Sequence, residues 1–336
     1  MIGFPHRPGE GGPGSFQIRI ETALKERGWR VAYPDDDAEI DVILVVGGTR
    51  KLWWLVRNRM KGVPIVQRLA GMNWIHEVRS LGVRLHFRIV VGDLLMKTIR
   101  RYLSDGVVYQ STFARDWWHR GGGAINVPEY VVYNAVPLDV FFPQKGTGYS
   151  KSIVCAEGTL DYSPWSVDVV NQLQEILSPE PLFGGIRLYG RFADVINESL
   201  ISKDVRYSGS LPRNSMPGIY RNNIFLSLDV NAACPNSVIE ALASGAPVIG
   251  FDTGSLRELV PDTAGVLVPY GADPWRLEMP DVHALAEAAK KVLENWDAYS
   301  CGARTVAVER FGIQQMTEAY LDVIFDVLKK RKEKNR

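Results

Sequence analysis

The stretch A-C-P-N-S-V-I-E-A-L-A-S-G-A-P-V-I-G-F-D-T-G-S-L-R-E-L-V, residues 233–260, reads as loop, helix, turn, strand, loop, helix. Pro235 suits a first helical position, where its missing N–H is no loss. Asn236 and Ser237 stand where a helix begins and have capping side chains. Val238, Ile239, Ala241 and Leu242 form an apolar stripe. Gly245 is placed to end the helix, because glycine enters the left-handed cap conformation freely. Pro247–Phe251 is then a short, wholly apolar strand. Backbone N–H groups at Asn236, Ser237 and Val238 would point out of the helix start and form an anion site suited to phosphate. Glu240 lies one turn further in, where a carboxylate suits the vicinal hydroxyls of a ribose. The bland alternative is a strand-connecting helix with a solvated Glu.

Working outward, short apolar runs alternate with helix-length amphipathic segments, the pattern of parallel α/β architecture. Ile2–Phe4 is an expected strand, followed by a glycine-rich loop, Gly9-Glu-Gly-Gly-Pro-Gly14-Ser-Phe, and a helix from about Ser15 to Arg27. A strand, a glycine loop and a helix start let the backbone approach a phosphate or sugar closely. Further strands are expected at Val31–Tyr33, Asp41–Val46, Pro64–Gln67, Gly106–Ser111 and Val131–Tyr133 in the first half. In the second half they are expected at Ile153–Ala156, Val205–Tyr207, Ile224–Leu228 and Gly265–Pro269. Residues 49–61 read as a helix with Trp53 and Trp54 among cations, either covering a sheet with snorkelling basic ends or lying on a membrane interface. Leu94–Leu103 reads as a basic amphipathic helix, and His76 as a structural histidine in a helical stretch. Loops beyond the carboxyl ends of parallel strands line ligand clefts, which makes Arg68 and Asn73 candidates, with a surface ion pair as the alternative for Arg68. Arg191 follows a strand in the same way; its alternative is a solvent-facing cation.

The chain of 336 residues is 46% hydrophobic and allows two domains with proper cores. Its net charge of +1 speaks against a nucleic-acid partner. Residues 1–148 carry 20 Lys and Arg against 14 Asp and Glu, and the remainder 19 against 24. A basic first half fits an anionic acceptor or membrane surface, or simply scattered solvated charge. Cys155, Cys234 and Cys301 are too few and too scattered for a disulfide framework or zinc site and point to a reducing compartment. The opening Met1–His6 lacks the basic region and apolar core of a signal peptide. No apolar run approaches the ~18 residues of a membrane span. The expectation is a cytoplasmic chain, with peripheral contact at the inner membrane face as an added option.

The stretch around Glu240 resembles the donor-site signature of retaining GT-B glycosyltransferases of family 4. That signature is a Glu, seven residues, a second Glu, then A-[LM]-A-x-G-x-P-V-[IV], a glycine-containing loop and E-L. The second Glu falls on Glu240, but the first falls on Ala232. Arg68-Leu-Ala-Gly-Met-Asn73 is similar to the family's V-x-R-x-D-G element, with Ala70 for the usual Asp. Asn134-Ala-Val-Pro-Leu-Asp-Val-Phe-Phe-Pro143 is similar to its N-G-V-D-x-x-x-F-x-P linker, and Gly209–Arg213 to a loop near the nucleotide base. The family's Arg and Lys that neutralise the donor diphosphate have no counterpart between Glu157 and Arg187. Arg191 is the substitute, with Arg213 and Arg68 next in line.

The resemblance implies two Rossmann-like parallel-sheet domains facing a cleft. Residues 1–148 would be the acceptor-side domain, 149–312 the nucleotide-sugar domain, and 313–336 a helix crossing back to the first. It implies transfer of a sugar from a nucleoside diphosphate sugar to a glycan, lipid-linked or small-molecule acceptor, with retention, without a metal and with no cofactor beyond the donor. Donor contacts would be Gly12, Pro13, Gly14, Ser15, Arg191, Asn236, Ser237, Val238 and Glu240. Arg191 and Glu240 would be the catalytic pair, with Arg68 and Asn73 on the acceptor side. Three alternatives stay open. One is a GT-B sugar-nucleotide epimerase, which needs carboxylate acid/base chemistry. The second is a non-catalytic nucleotide-sugar-binding protein. The third is a metal-dependent GT-A enzyme resting on Asp35–Asp37, which otherwise reads as a polar turn after Pro34.

Overall fold

Long apolar runs become strands buried on both faces, as in Val42–Val46, where all five residues are buried. The computed structural model describes residues 1–9, 11–79, 82–144, 150–193 and 195–334. The chain divides into two compact units, 1–134 with 313–336, and 135–312. The domain boundary expected at 148/149 falls among residues 145–149, outside the described residues.

The first unit holds a six-stranded sheet of β1 (Ile2–Gly3), β2 (Val31–Ala32), β3 (Val42–Val46), β4 (Ile65–Leu69), β5 (Gly106–Tyr109) and β6 (Glu129–Val131). Their order is β2-β1-β3-β4-β5-β6, and every pair is parallel. The helix Ile313–Lys334 packs in this unit. Tyr320 stacks on Phe16 at 5.2 Å, Arg331 pairs with Asp105 at 3.1 Å, and the Tyr130 hydroxyl donates to Asp326. Val327 lies so close to Gly106 that a Cβ there would meet its Cγ2 at 2.7 Å.

The second unit holds β7 (Lys151–Thr159), β8 (Phe183–Arg191), β9 (Arg206–Tyr207), β10 (Ile224–Ser227), β11 (Val248–Phe251) and β12 (Gly265–Val268). Their order is β12-β11-β10-β7-β8-β9, again all parallel. Chain order therefore reverses between β7 and β10. In open parallel sheets the crevice for ligands lies at such a switch point, beyond the strands' carboxyl ends. The linker 135–143 packs within this unit: Arg304 donates to the carbonyls of Phe141, Leu138 and Ala243, and Val136 N–H to Phe311.

Four local expectations change. The glycine-rich segment is not a loop leading to a helix at Ser15; the helix already runs Gly11–Glu26. Pro13 fits a first turn, where no N–H is required. Gly14 approaches the Gly9 carbonyl so closely that a Cβ would lie 1.8 Å from its oxygen. The helix expected at Leu94–Leu103 is instead a helix Val83–Thr98 running into a π turn, Ile99–Leu103. Its first part has no buried side chain, and its apolar row of Val83, Phe87, Val90 and Leu94 is exposed rather than packed in a core. The strand expected at Ile153–Ala156 extends to Thr159, carrying Glu157 with it. Pro235 is the N-cap rather than the first helical residue, with ψ at 123°.

Candidate donor site at the β7/β10 switch point

Beyond β10 the chain forms loop 228–235 and then the helix Asn236–Ala243. No side chain caps this helix, so neither Asn236 nor Ser237 plays the capping part expected of it. The helix start keeps the first-turn N–H groups that an anion would accept. Val238 is buried, whereas Asn236, Ser237 and Glu240 are half-buried. Tyr220, fully buried, donates its hydroxyl to Glu240 Oε2 at 3.3 Å.

The loop is held from the far side by 252–255. Gly254, at φ 60°, sits where a Cβ would lie 2.6 Å from the Ala232 backbone N and O. Ser255 N–H donates to the Ala232 carbonyl at 2.9 Å, and Asn231 N–H to Thr253 Oγ1 at 3.3 Å. Asn231 itself adopts the left-handed conformation, φ 55°. Its Nδ2 is buried without a hydrogen-bond partner among the described residues, as are Asn236 Oδ1, Ser227 Oγ and Ser255 Oγ. Native proteins leave few buried polar atoms unpaired, and a group of them along one strand end, loop and helix start marks a place for ligand or water.

Two carboxylates that sequence reasoning passed over lie at the switch point. Glu157, at the end of β7, accepts the Leu228 N–H at 2.9 Å across the β7/β10 seam. Asp229 follows β10 after one residue, Leu228. Burial, and then the Asp229 charge, pushes the Glu157 carboxyl well above the usual carboxylate range. Burial raises Asp229 as well. Burial and these two charges together raise the Cys155 thiol. The pair therefore holds a proton more readily than ordinary carboxylates do. The signal was present, since each residue follows an apolar strand run, the place where Arg68 and Arg191 were sought.

Arg191 is the last residue of β8, exposed, and its guanidinium has no ion-pair partner among the described residues. β8 lies two strand spacings from β10, roughly 10 Å. Arg213 is exposed in the short 3-10 turn Arg213–Ser215. Of the three cysteines, Cys155 and Cys234 are buried and Cys301 is exposed, and none is in a disulfide.

In the first unit, Gly12 and Pro13 are exposed in the first helical turn, Gly14 is buried, and Ser15 Oγ donates to the Gly11 carbonyl at 3.0 Å. Arg68 is 2% exposed; it donates to Asn134 Oδ1 at 2.6 Å and lies 3.7 Å from the centroid of the Phe16 ring. It is thus a buried tie between β4, the glycine-led helix and the end of the unit, not a surface ion pair. Asn73 is exposed and donates to Asp93 at 2.7 Å. Asp35 pairs with Arg7 at 3.0 Å, and Asp36 accepts the Tyr33 N–H at 2.8 Å, which makes D-x-D a capped turn.

Comparison with known proteins follows the same line. Residues 184–295 match the family model described as glycosyl transferases group 1. This segment is similar to group 1 glycosyltransferases. It runs from β8 past the helix Asn236–Ala243 to the helix Val282–Glu294, and so contains Arg191, Asn236 and Glu240. A search of curated protein sequences finds no match.

Among solved structures, the chain is similar to a sucrose-phosphate synthase from Thermosynechococcus elongatus, at 15% identity and TM-score 0.74, covering 98% of this chain and 99% of that one. It is similar to Anabaena HepE in complex with UDP and glucose, at 15% identity and TM-score 0.67, covering 97% and 99%. S. aureus TarM, in complex with fondaparinux, alpha-GlcNAc-glycerol and UDP, matches at 12% identity and TM-score 0.65, covering 92% of this chain and 58% of that one. The fold is that of GT-B glycosyltransferases, two parallel α/β units of six strands each.

Proposed function

We propose that this protein transfers a hexose-like sugar from a nucleoside diphosphate sugar to an acceptor, with retention at the anomeric carbon and without a divalent metal. The observation that carries the reading is the uncapped start of Asn236–Ala243 at the switch point, with Glu240 one turn inside it and unpaired polar atoms of Asn231 and Asn236 around it. The diphosphate is assigned to the N–H groups of 236–238, and the ribose to the Glu240 carboxylate. Arg191 is assigned to the charge that grows on the leaving phosphate, which a planar guanidinium binds through two oxygens. The bond from the anomeric carbon to the diphosphate breaks while the acceptor oxygen bonds on the same face. The acceptor proton passes to the leaving phosphate, so no protein base is required. Gly12, exposed in the first turn of the first unit's glycine-led helix, is a further donor-contact candidate, taken within that unit alone. Asn73 remains the acceptor-side candidate, and Arg68 positions its surroundings from within the core.

HepE with UDP and glucose, and TarM with UDP, fondaparinux and alpha-GlcNAc-glycerol, support a uridine nucleotide as the first donor to try and a glycan acceptor. Three cysteines outside any disulfide support a reducing, cytoplasmic compartment. The exposed Trp53 and the basic first half support peripheral contact with the inner membrane face.

A second reading has its own observation. Glu157 and Asp229 bring carboxyl groups of raised pKa to the switch point, which is the equipment of a sugar-nucleotide epimerase. The discriminating experiment incubates the protein with UDP-sugars and glycan or glycerol acceptors and follows the products by NMR. A retained glycoside supports transfer. An inverted ring carbon supports epimerisation. Tight binding without turnover supports a nucleotide-sugar-binding protein, as Ala232 and the absent basic pair allow.

A further inference from the structure

Helix Val83–Thr98 is 16 residues long and has no buried side chain. Its inner side is accounted for. Asp93 accepts from Asn73, the Met96 carbonyl accepts from Gln67 at 3.2 Å, and a Cβ on Gly48 would meet Met96 Cγ at 2.9 Å. Its outer side is not. Val83, Phe87, Val90 and Leu94 recur at spacings of four, three and four, which places them in one row along the helix. They are 86%, 69%, 44% and 63% exposed.

Such a row in water is unfavourable and marks an interaction surface. The charges around it select the partner. Arg84 and Arg88 border the row on one side and Lys97 on the other, all exposed. The helix's one acid, Asp93, is on the inner side and engaged by Asn73. Helix Leu52–Met60 of the same unit shows a shorter row of the same composition. There Trp53, Val56 and Met60 are exposed beside Arg57 and Lys61.

We propose that the outer face of Val83–Thr98 docks on an anionic lipid surface, with the apolar row at the headgroup–acyl boundary and the three cations at lipid phosphates. The proposal deepens the peripheral membrane contact proposed above by naming the surface and lipid class, and it stands without sugar transfer. Sequence reading placed the membrane surface at Trp53 and Trp54, but Trp54 is buried, and the larger exposed row is the later helix.

The test is co-sedimentation of the full chain with phosphatidylcholine vesicles containing phosphatidylglycerol, beside pure phosphatidylcholine, at low and high salt. Binding to the anionic vesicles alone, weakened by salt, is the expected result. Phe87→Glu with Leu94→Glu should abolish it. Arg84→Glu with Arg88→Glu should weaken it about tenfold or more. All four residues are exposed, so circular dichroism and Tm should not change. Leu200→Glu, at an exposed site in the second unit, should bind like the parent. The proposal is overturned by absence of binding at low salt, or by equal loss in Leu200→Glu. It is also overturned if sedimentation velocity shows a parent dimer that Phe87→Glu turns into monomers, which would make the row a contact between copies.

Discussion

The Tyr220 hydroxyl donates to Oε2 of Glu240 across 3.3 Å, from a ring with no exposed surface. Phe225 meets that ring edge-on at 5.6 Å, so the hydroxyl position is set by packing. A carboxylate held in this way is preorganised for a ribose. Tyr220→Phe keeps the ring and removes one bond. Affinity for a nucleoside diphosphate should fall by about 0.5–1.5 kcal/mol, up to roughly tenfold. Calorimetric titration reads this directly, and an unchanged Kd would remove Tyr220 from the site.

Arg191 lies at the exposed end of β8, so its loss should leave the fold intact. If it meets charge on the leaving phosphate, Arg191→Ala should lower kcat by ~100-fold, about 2.7 kcal/mol, with a smaller change in donor affinity. Arg191→Lys should recover part of the rate, since a point charge lacks the guanidinium fork. Normal turnover in Arg191→Ala would pass the role to Arg213 or leave the leaving group without a cation.

Glu157 and Asp229 give a stability test. Their carboxyls are raised in the folded state, so the native protein binds more protons than the unfolded chain above the usual carboxylate pKa of about 4. Their contribution is fully present at low pH and is lost as pH rises toward neutrality. Glu157→Gln should flatten that decline and raise stability near pH 8, measured by urea unfolding at a series of pH values. An identical pH profile in parent and variant would show that the pair is not coupled in this way.

Arg68 tests a structural role. Its guanidinium is buried, bonded to Asn134 and laid on Phe16. Arg68→Ala should destabilise the protein by about 1.5–3 kcal/mol from the lost charged bond. Thermal unfolding without ligand reads this. An unchanged Tm together with a raised acceptor KM would return Arg68 to the acceptor side.

The parallel α/β layout was legible because strands buried on both faces are runs of apolar residues, as Val42–Val46 and Val248–Phe251 show. The helix before Gly245 was legible from its stripe and its glycine stop. What escaped had weak local signals. Helix Val83–Thr98 carries an apolar row, Val83, Phe87, Val90 and Leu94, that is exposed instead of buried, so a reading that looks for core-facing stripes misses where it starts. The first turn at Gly11–Gly14 reads as a loop by composition, yet Pro13 and the close Gly9 carbonyl make it helical. The Glu157–Leu228 bond depends on strand order, β10 beside β7, and the Tyr220–Glu240 bond on how the helices before and after β10 pack, neither of which a local pattern specifies.

The central claim is that the helix start at Asn236 and the Glu240 carboxylate hold a nucleoside diphosphate. Calorimetric titration of UDP into the parent protein and into Glu240→Ala tests it most directly, with Tm recorded for both. The account predicts saturable binding to the parent and a loss of about 1.5–3 kcal/mol in the variant, roughly 10- to 100-fold in Kd, at an unchanged unliganded Tm. Equal affinity in the two proteins would contradict it.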